Sequence, residues 1–333
     1  MSSAVLDTAD TLVIGGGPAG LAAALALCRQ NHNVIVLDSG DYRNKYATEM
    51  HMVSTWDHRP PREFLAASRA ELSKRYPDQC KLVEAEVTAI ERLSGTAQGL
   101  SIFEARDETG NKWRGRKIVL ATGVRDLLPF IDGFEDCWGT GVVHCLLCHG
   151  HEQRGAASVG ILALDSFAEA STVLRVARSC KQFASSIRIY TNGNKRVATQ
   201  LRAVAAQVSN CDVEDAVIER LEMVKMSGGG EEDGLHVVLE GAEEGIAPGH
   251  VHTFAMYHAG TEQASSLVED MGIELDENGE IKLGAFQETS QPGLFAAGDC
   301  SSLHKYVSIA SATGFMAGAG AAQQLQAEGM QKM

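Results

Sequence analysis

A chain of 333 residues has room for about two domains of ordinary size, and 44% hydrophobic against 22% charged residues is the balance of a globular protein with a full core. Its formal charge of −14 argues against nucleic acid and anionic membrane as partners, since both call for basic surface. The first ten residues carry no basic n-region, and the apolar run at 21–27 is too short to span a bilayer, so a cytoplasmic protein is expected.

Residues 11–14 form a short apolar run that ends in GGGPAG at 15–20. An Ala/Leu-rich stretch at 21–30 predicts a helix, and the apolar 33–38 predicts a second buried strand ending at Asp38. Strand, Gly-rich turn, helix and strand make the βαβ unit of a dinucleotide-binding domain, a context that turns a weak G-x-G-x-x-G match into a strong one. Gly15 permits the tight turn, Gly17 lets backbone approach a pyrophosphate, and Gly20 allows close helix–strand packing. Pro18 and Ala19 open the helix whose N-terminal amides face the phosphates, and Asp38 is placed to accept from a ribose hydroxyl.

Further along, 117–123 reads as a strand closing on Gly123, and 157–163 and 186–191 read as strands flanking a helix at 167–180. Residues 227–234, rich in glycine and acid, read as a hairpin tip or surface loop, and no function is assigned to them. Near the end come a turn and short strand at 289–299, closing on Gly298 and Asp299, and a helix from 307 to 324 rich in small residues.

Of the cysteines at 28, 80, 137, 145, 148, 180, 211 and 300, Cys145 and Cys148 alone are closely spaced, and the others read mostly as small buried hydrophobes. The stretch HCLLCHGHE at 144–152 is compatible with haem attachment, zinc or a redox disulfide. Haem attachment calls for a second axial ligand and an export route, and zinc for four tetrahedral ligands without a second Cys/His knuckle to supply them. No metal is expected, and the redox pair is the favoured reading. His149, next to Cys148, is the best candidate base, with His144 second; His151 and His304 read as exposed or hydrogen-bonded histidines without a catalytic role.

The glycine fingerprint, Ala121-Thr122-Gly123, the C-x-x-C and Ala297-Gly298-Asp299 come in the order of low-molecular-weight thioredoxin reductases, which the chain resembles over most of its length. The resemblance implies an α/β fold of two Rossmann-like, three-layer (ββα) domains. An FAD domain would comprise 1–125 and 255–333, and an inserted domain at 126–254 would carry the cysteine pair. It further implies FAD held at its ADP half by Gly15, Gly17, Gly20 and Asp38 and elsewhere by Gly123, Gly298 and Asp299, and a homodimer.

Two departures matter. The second Gly-rich loop, which binds NADPH in those reductases, is replaced at 161–168 by ILALDSFA, and the stretch after the next strand lacks their basic cluster, although Lys195 and Arg196 lie slightly later. The residue after the second cysteine is His149 rather than an acid, similar to the dithiol oxidases that close the disulfides of gliotoxin and holomycin. That resemblance implies a small-molecule dithiol substrate, oxygen as terminal acceptor, Cys145 as exchanging sulfur and Cys148 facing the flavin. A disulfide reductase fed by NADPH or a protein donor, and a non-catalytic FAD-binding redox sensor, are the competing readings.

Overall fold

The computed structural model describes residues 7–93, 102–225, 233–241 and 249–330, so positions 227–232 of the expected loop lie outside the described residues. Two compact units emerge, one of Met1–Lys45, Met52–Arg125 and Glu262–Met333, the other of Tyr46–His51 and Asp126–Thr261.

The first unit is built on a seven-stranded sheet. β1 (Asp7–Ile14) lies between β2 (Val34–Asp38) and the strand Lys112–Leu120, parallel to both. Cys80–Glu84 extends the parallel set beyond β2, and Leu294–Ala296 pairs with the C-terminal half of Lys112–Leu120. The N-terminal half of that strand pairs antiparallel with Ile102–Asp107, which continues to Val87–Leu93. Side chains alternate across this sheet with the period of two that a strand imposes. Leu12, Ile14, Ile35, Leu37, Ile118 and Leu120 fill one face, while Val13, Val34, Val36 and Val119 fill the other.

That second face carries α1 (Pro18–Arg29) and the long helix Val307–Met330. The two helices approach through small residues. A Cβ on Gly314 would sit 2.1 Å from the Ala19 carbonyl oxygen, so the alanine–glycine composition of the last helix serves close packing rather than an amphipathic stripe.

The second unit holds a five-stranded parallel sheet in the order Cys211–Glu214, Ala184–Tyr190, Ala156–Leu162, Phe254–Met256 and Val142–Val143. Helices Ala170–Cys180 and Lys195–Ala205 pack on it, and an antiparallel meander of Ile218–Lys225, Asp233–Leu239 and Gly249–His252 accompanies it. The fold class is therefore α/β, with two Rossmann-like domains.

The expected return to the first domain at 255 is corrected to Glu262. Phe254–Met256 reads as an ordinary apolar run, yet it pairs with Ala156–Leu162 and Val142–Val143 in the centre of the second sheet. The strand expected at 117–123 ends at Leu120, and the helix expected from 167 begins at Ala170 after a 3-10 turn, Asp165–Ala168. Among the described residues no helix is long and apolar enough to cross a membrane.

Candidate functional site

In the first unit, the turn after β1 needs its glycines for distinct reasons. Gly15 has φ +105°, and a Cβ there would lie 2.3 Å from the Ala121 carbonyl oxygen. A Cβ on Gly20 would lie 1.9 Å from the Gly15 carbonyl oxygen. At Gly17, by contrast, a Cβ would meet nothing nearer than Tyr42 Cδ1 at 3.9 Å, so packing within the protein leaves that side of the turn open.

Gly17 is also the N-cap of α1 and Pro18 its first residue, and no side chain caps the helix. The amides of Ala19 and Gly20 are thus left for a bound anion, as a pyrophosphate requires. Asp38, at the tip of β2, accepts from the Gly16 amide at 2.9 Å and is further engaged by Tyr42 and the Arg69 guanidinium.

Gly298 reaches the same turn from the other end of the chain. It has φ +82°, and a Cβ there would sit 2.8 Å from Cβ of Ala19. Its amide donates to Thr313 Oγ1 at 3.0 Å. Asp299, next in line, accepts from Arg43 Nη1 at 3.1 Å. Gly123 has φ +70° with nothing within 4 Å of a Cβ. An uncapped helix start, an open glycine and a carboxylate at the strand tip fit the ADP end of a dinucleotide.

In the second unit, Cys145 and Cys148 are joined as a disulfide, with Cα atoms 5.3 Å apart. Val142–Val143 leads extended backbone into Cys145, which is the N-cap of a single helical turn, Leu146–His149. That helix is only one turn long and offers little macrodipole. What stabilises a sulfur anion locally is the Cys148 amide, which donates to Cys145 Sγ at 3.2 Å. Gly150 ends the turn; a Cβ there would lie 2.4 Å from the Leu146 carbonyl oxygen. Leu147, between the cysteines, is 68% exposed. Of the six free cysteines, four are buried and Cys80 and Cys211 half-buried. Burial pushes the thiols of Cys137, Cys180 and Cys211 up to about 11, about 12 and about 11, out of the reactive range at neutral pH.

A row of rings flanks the disulfide. Trp138 faces His144 at 5.8 Å between centroids, His144 meets His149 edge to face at 5.9 Å, and His149 meets His51 edge to face at 6.4 Å. Burial first, and then the charge that His51 carries when protonated, holds His149 below its ordinary 6.5; Glu152 pulls it the other way. His151 is exposed, and His304 stacks on Tyr306 in the first unit.

The stretch 161–168 is filled by its own side chains. Leu164 and Phe167 are buried in the core, and Asp165, at φ +48°, accepts from the buried Tyr257 hydroxyl at 3.2 Å. The following helix begins on Glu169, whose carboxylate accepts from the amides of Ser171 at 3.0 Å and Thr172 at 2.8 Å. A protein carboxylate thus caps this helix N-terminus.

Sequence reasoning did not find Gly16, Arg43, Arg69, His51 or Tyr257. Gly16 had a signal: a Cβ there would lie 2.5 Å from the Asp38 carboxylate, so a carboxylate that close to the turn demands it. The others reach their partners from distant segments, and no local pattern marks them.

Residues 9–159 and 175–324 match the family described as pyridine nucleotide-disulphide oxidoreductase. A thioredoxin reductase of Gibberella zeae is 42% identical over 96% of this chain and 98% of its own. Thioredoxin reductase aclD of Aspergillus oryzae is 36% identical, over 95% and 96%. Among solved structures, HlmI superposes with a TM-score of 0.80 at 27% identity, covering 97% of this chain and 94% of the other. With the glycine turn in one unit and the disulfide in the other, the chain belongs to the pyridine nucleotide-disulphide oxidoreductases as a thioredoxin-reductase-like flavoprotein whose cofactor is FAD.

Proposed function

We propose that this flavoprotein oxidises a small-molecule dithiol of secondary metabolism to an intramolecular disulfide, with oxygen as the terminal acceptor. The observation that carries this reading is the state of the second nucleotide loop. Glu169 caps the helix that would receive the NADPH pyrophosphate, and Asp165 and Phe167 fill the turn before it. The carboxylates of Glu169 and Asp165 repel a pyrophosphate there, which favours the substrate itself as the electron source.

A substrate thiolate attacks Cys145 Sγ, forming a mixed disulfide as the bond to Cys148 breaks and Cys148 leaves as a thiolate. The second substrate thiol attacks the substrate sulfur of that mixed disulfide, which closes the product ring and releases Cys145. His149 accepts the thiol protons and returns them to the cysteine sulfurs, and His144 flanks it as the second candidate. The pair thus gains two electrons and two protons while the dithiol loses them. Bound FAD supplies the two-electron exchange between the reduced cysteines and oxygen, whose product is hydrogen peroxide. The cofactor is assigned to Gly15, Gly17, Pro18, Ala19, Gly20, Asp38, Gly123, Gly298 and Asp299. The resemblance implies a homodimer, and the exposed Phe315 and Met316 on Val307–Met330 supply apolar surface for a second copy.

The names of the fungal relatives favour a second reading, a thioredoxin reductase supplied by NADPH or a protein donor. Anaerobic mixing of the FAD-loaded protein with NADPH, and separately with dithiothreitol, separates the two. The oxidase reading expects the flavin absorbance to bleach with the dithiol and persist with NADPH; the reverse pattern would overturn it.

A further inference from the structure

Far from the cysteine pair in sequence, Tyr46–His51 leaves the first unit's part of the chain and packs as part of the second. It ends on His51, whose ring stands edge-on to His149 at 84° and 6.4 Å. His51 Nε2 lies 4.0 Å from Glu152 Oε2, and its side chain is only 9% exposed. The Glu49 carboxylate lies within 4.8 Å of the same imidazole. A nearly buried histidine between two carboxylates and a second histidine is an arrangement with electrostatic consequences.

We propose that His51 acts on thiol deprotonation at the disulfide through His149, its adjacent ring holding His149 as a proton acceptor beside Cys148. This rests on the dithiol-oxidase reading for its role in turnover. The groups facing His149 are His51 and His144 by ring contact, Glu152 by charge, and the cysteine pair by sequence. A charge on His51, with Glu49 and Glu152 facing it, disfavours a second charge on the adjacent ring. His149 then remains neutral and ready as a substrate thiol arrives. Once it has taken that proton, the two like charges repel, which favours delivery of the proton to the departing Cys148 thiolate. No atom is gained or lost: the proton leaves the substrate sulfur and ends on a cysteine sulfur.

The test compares full-length, FAD-loaded wild type with His51→Gln, by NMR titration of the His149 imidazole and by the pH dependence of anaerobic flavin bleaching with dithiothreitol. In the variant the His149 titration moves up by at most about half a pH unit, the bound that a unit charge at this separation sets in a well-screened setting. The acidic limb of the bleaching rate moves up with it, while the rate on the alkaline plateau stays within about threefold of wild type, a change too small to register as lost transition-state binding. His51→Phe keeps a ring at the position and carries the same expectation should the glutamine variant fail to fold. An unmoved His149 titration overturns the proposal, and so does a rate that falls equally at every pH. A shifted titration in a protein that no dithiol reduces leaves the coupling standing and removes the oxidase reading instead.

Discussion

Glu169 accepts the Thr172 amide at 2.8 Å, and the helix Ala170–Cys180 therefore carries its own anion, whereas α1 has no side-chain cap. One fold thus shows two outcomes at its two nucleotide-type turns, one left for a ligand and one closed by the protein. The hydrogen bonds from Ser171, and then from the Thr172 amide, hold the Glu169 carboxyl at about 2, against an ordinary 4.5. A depressed carboxyl contributes stability that is complete above its unfolded value and is lost as pH falls through its folded value. Wild type should lose thermal stability from Glu169 between about pH 4.5 and pH 2, and Glu169→Gln should show a shallower decline across that window. Parallel melting curves for the two proteins through the same range would refute it.

The glycine turn supports a contrast between two substitutions three positions apart. Gly20→Ala forces a Cβ to 1.9 Å from backbone, a clash that should cost about 1–3 kcal/mol in the apoprotein. Gly17→Ala meets open space at ordinary negative φ, so apoprotein stability should stay within about 0.5 kcal/mol. It should nevertheless weaken FAD by about tenfold or more, which corresponds to ~1.4 kcal/mol, because the methyl stands where the pyrophosphate approaches. Urea unfolding of the apoproteins and flavin fluorescence titration decide it; equal FAD affinity in Gly17→Ala and wild type would remove Gly17 from the cofactor site.

Tyr257 ties the filled loop to the core that carries the disulfide. Its ring meets Phe134, Trp138 and Phe167 edge to face, and its hydroxyl donates to Asp165. Burial pushes the phenol up, so it remains a donor at any working pH. Tyr257→Phe keeps the ring packing and removes one hydrogen bond, which should cost about 1 kcal/mol in urea unfolding and leave the flavin spectrum unchanged. A loss beyond about 3 kcal/mol would mean that the ring packing itself had failed, and the bond would not be the relevant quantity.

The parts of the site that local chemistry writes were legible in the chain. A glycine demanded by a backbone clash, an acid at a strand tip and two cysteines three apart are all short-range patterns. Among the residues such patterns single out, Gly15 and Gly20 lie against backbone, Asp38 accepts the Gly16 amide, and Cys145 and Cys148 are bonded. The rest depends on tertiary approach. Arg69 meets Asp38 from the helix Pro61–Arg75, Arg43 meets Asp299 from the opposite end of the sequence, and His51 meets His149 across an intervening piece of the other unit. The late domain return has the same origin. Phe254–Met256 is too short and too ordinary to reveal which sheet it joins, and only its pairing with Val142–Val143 and Ala156–Leu162 assigns it. Glu169 shows the intermediate case: the absence of glycines at 161–168 is visible in the chain, whereas the capping role of the Glu169 carboxylate carries no local mark.

His252 sets a limit on acid stability in the second unit. It is 3% exposed, with Nε2 2.6 Å from the Tyr190 hydroxyl and Nδ1 2.9 Å from Ser158 Oγ. Burial, then the neighbouring His250 and Arg188, lower its pKa to about 3 from an ordinary 6.5. The unfolded chain therefore binds this proton first, and stability is unaffected above about 6.5 but falls steadily as pH drops toward about 3. By pH 5 the loss from this one group should be on the order of 2 kcal/mol. His252→Gln, which can keep a hydrogen bond to Tyr190 or Ser158, should be no more stable than wild type at pH 7.5, yet lose correspondingly less on going to pH 5. Urea unfolding at the two pH values reads the difference. If both proteins lost the same amount, His252 would already be protonated in the fold, and the acid sensitivity of this unit would have to come from its other histidines.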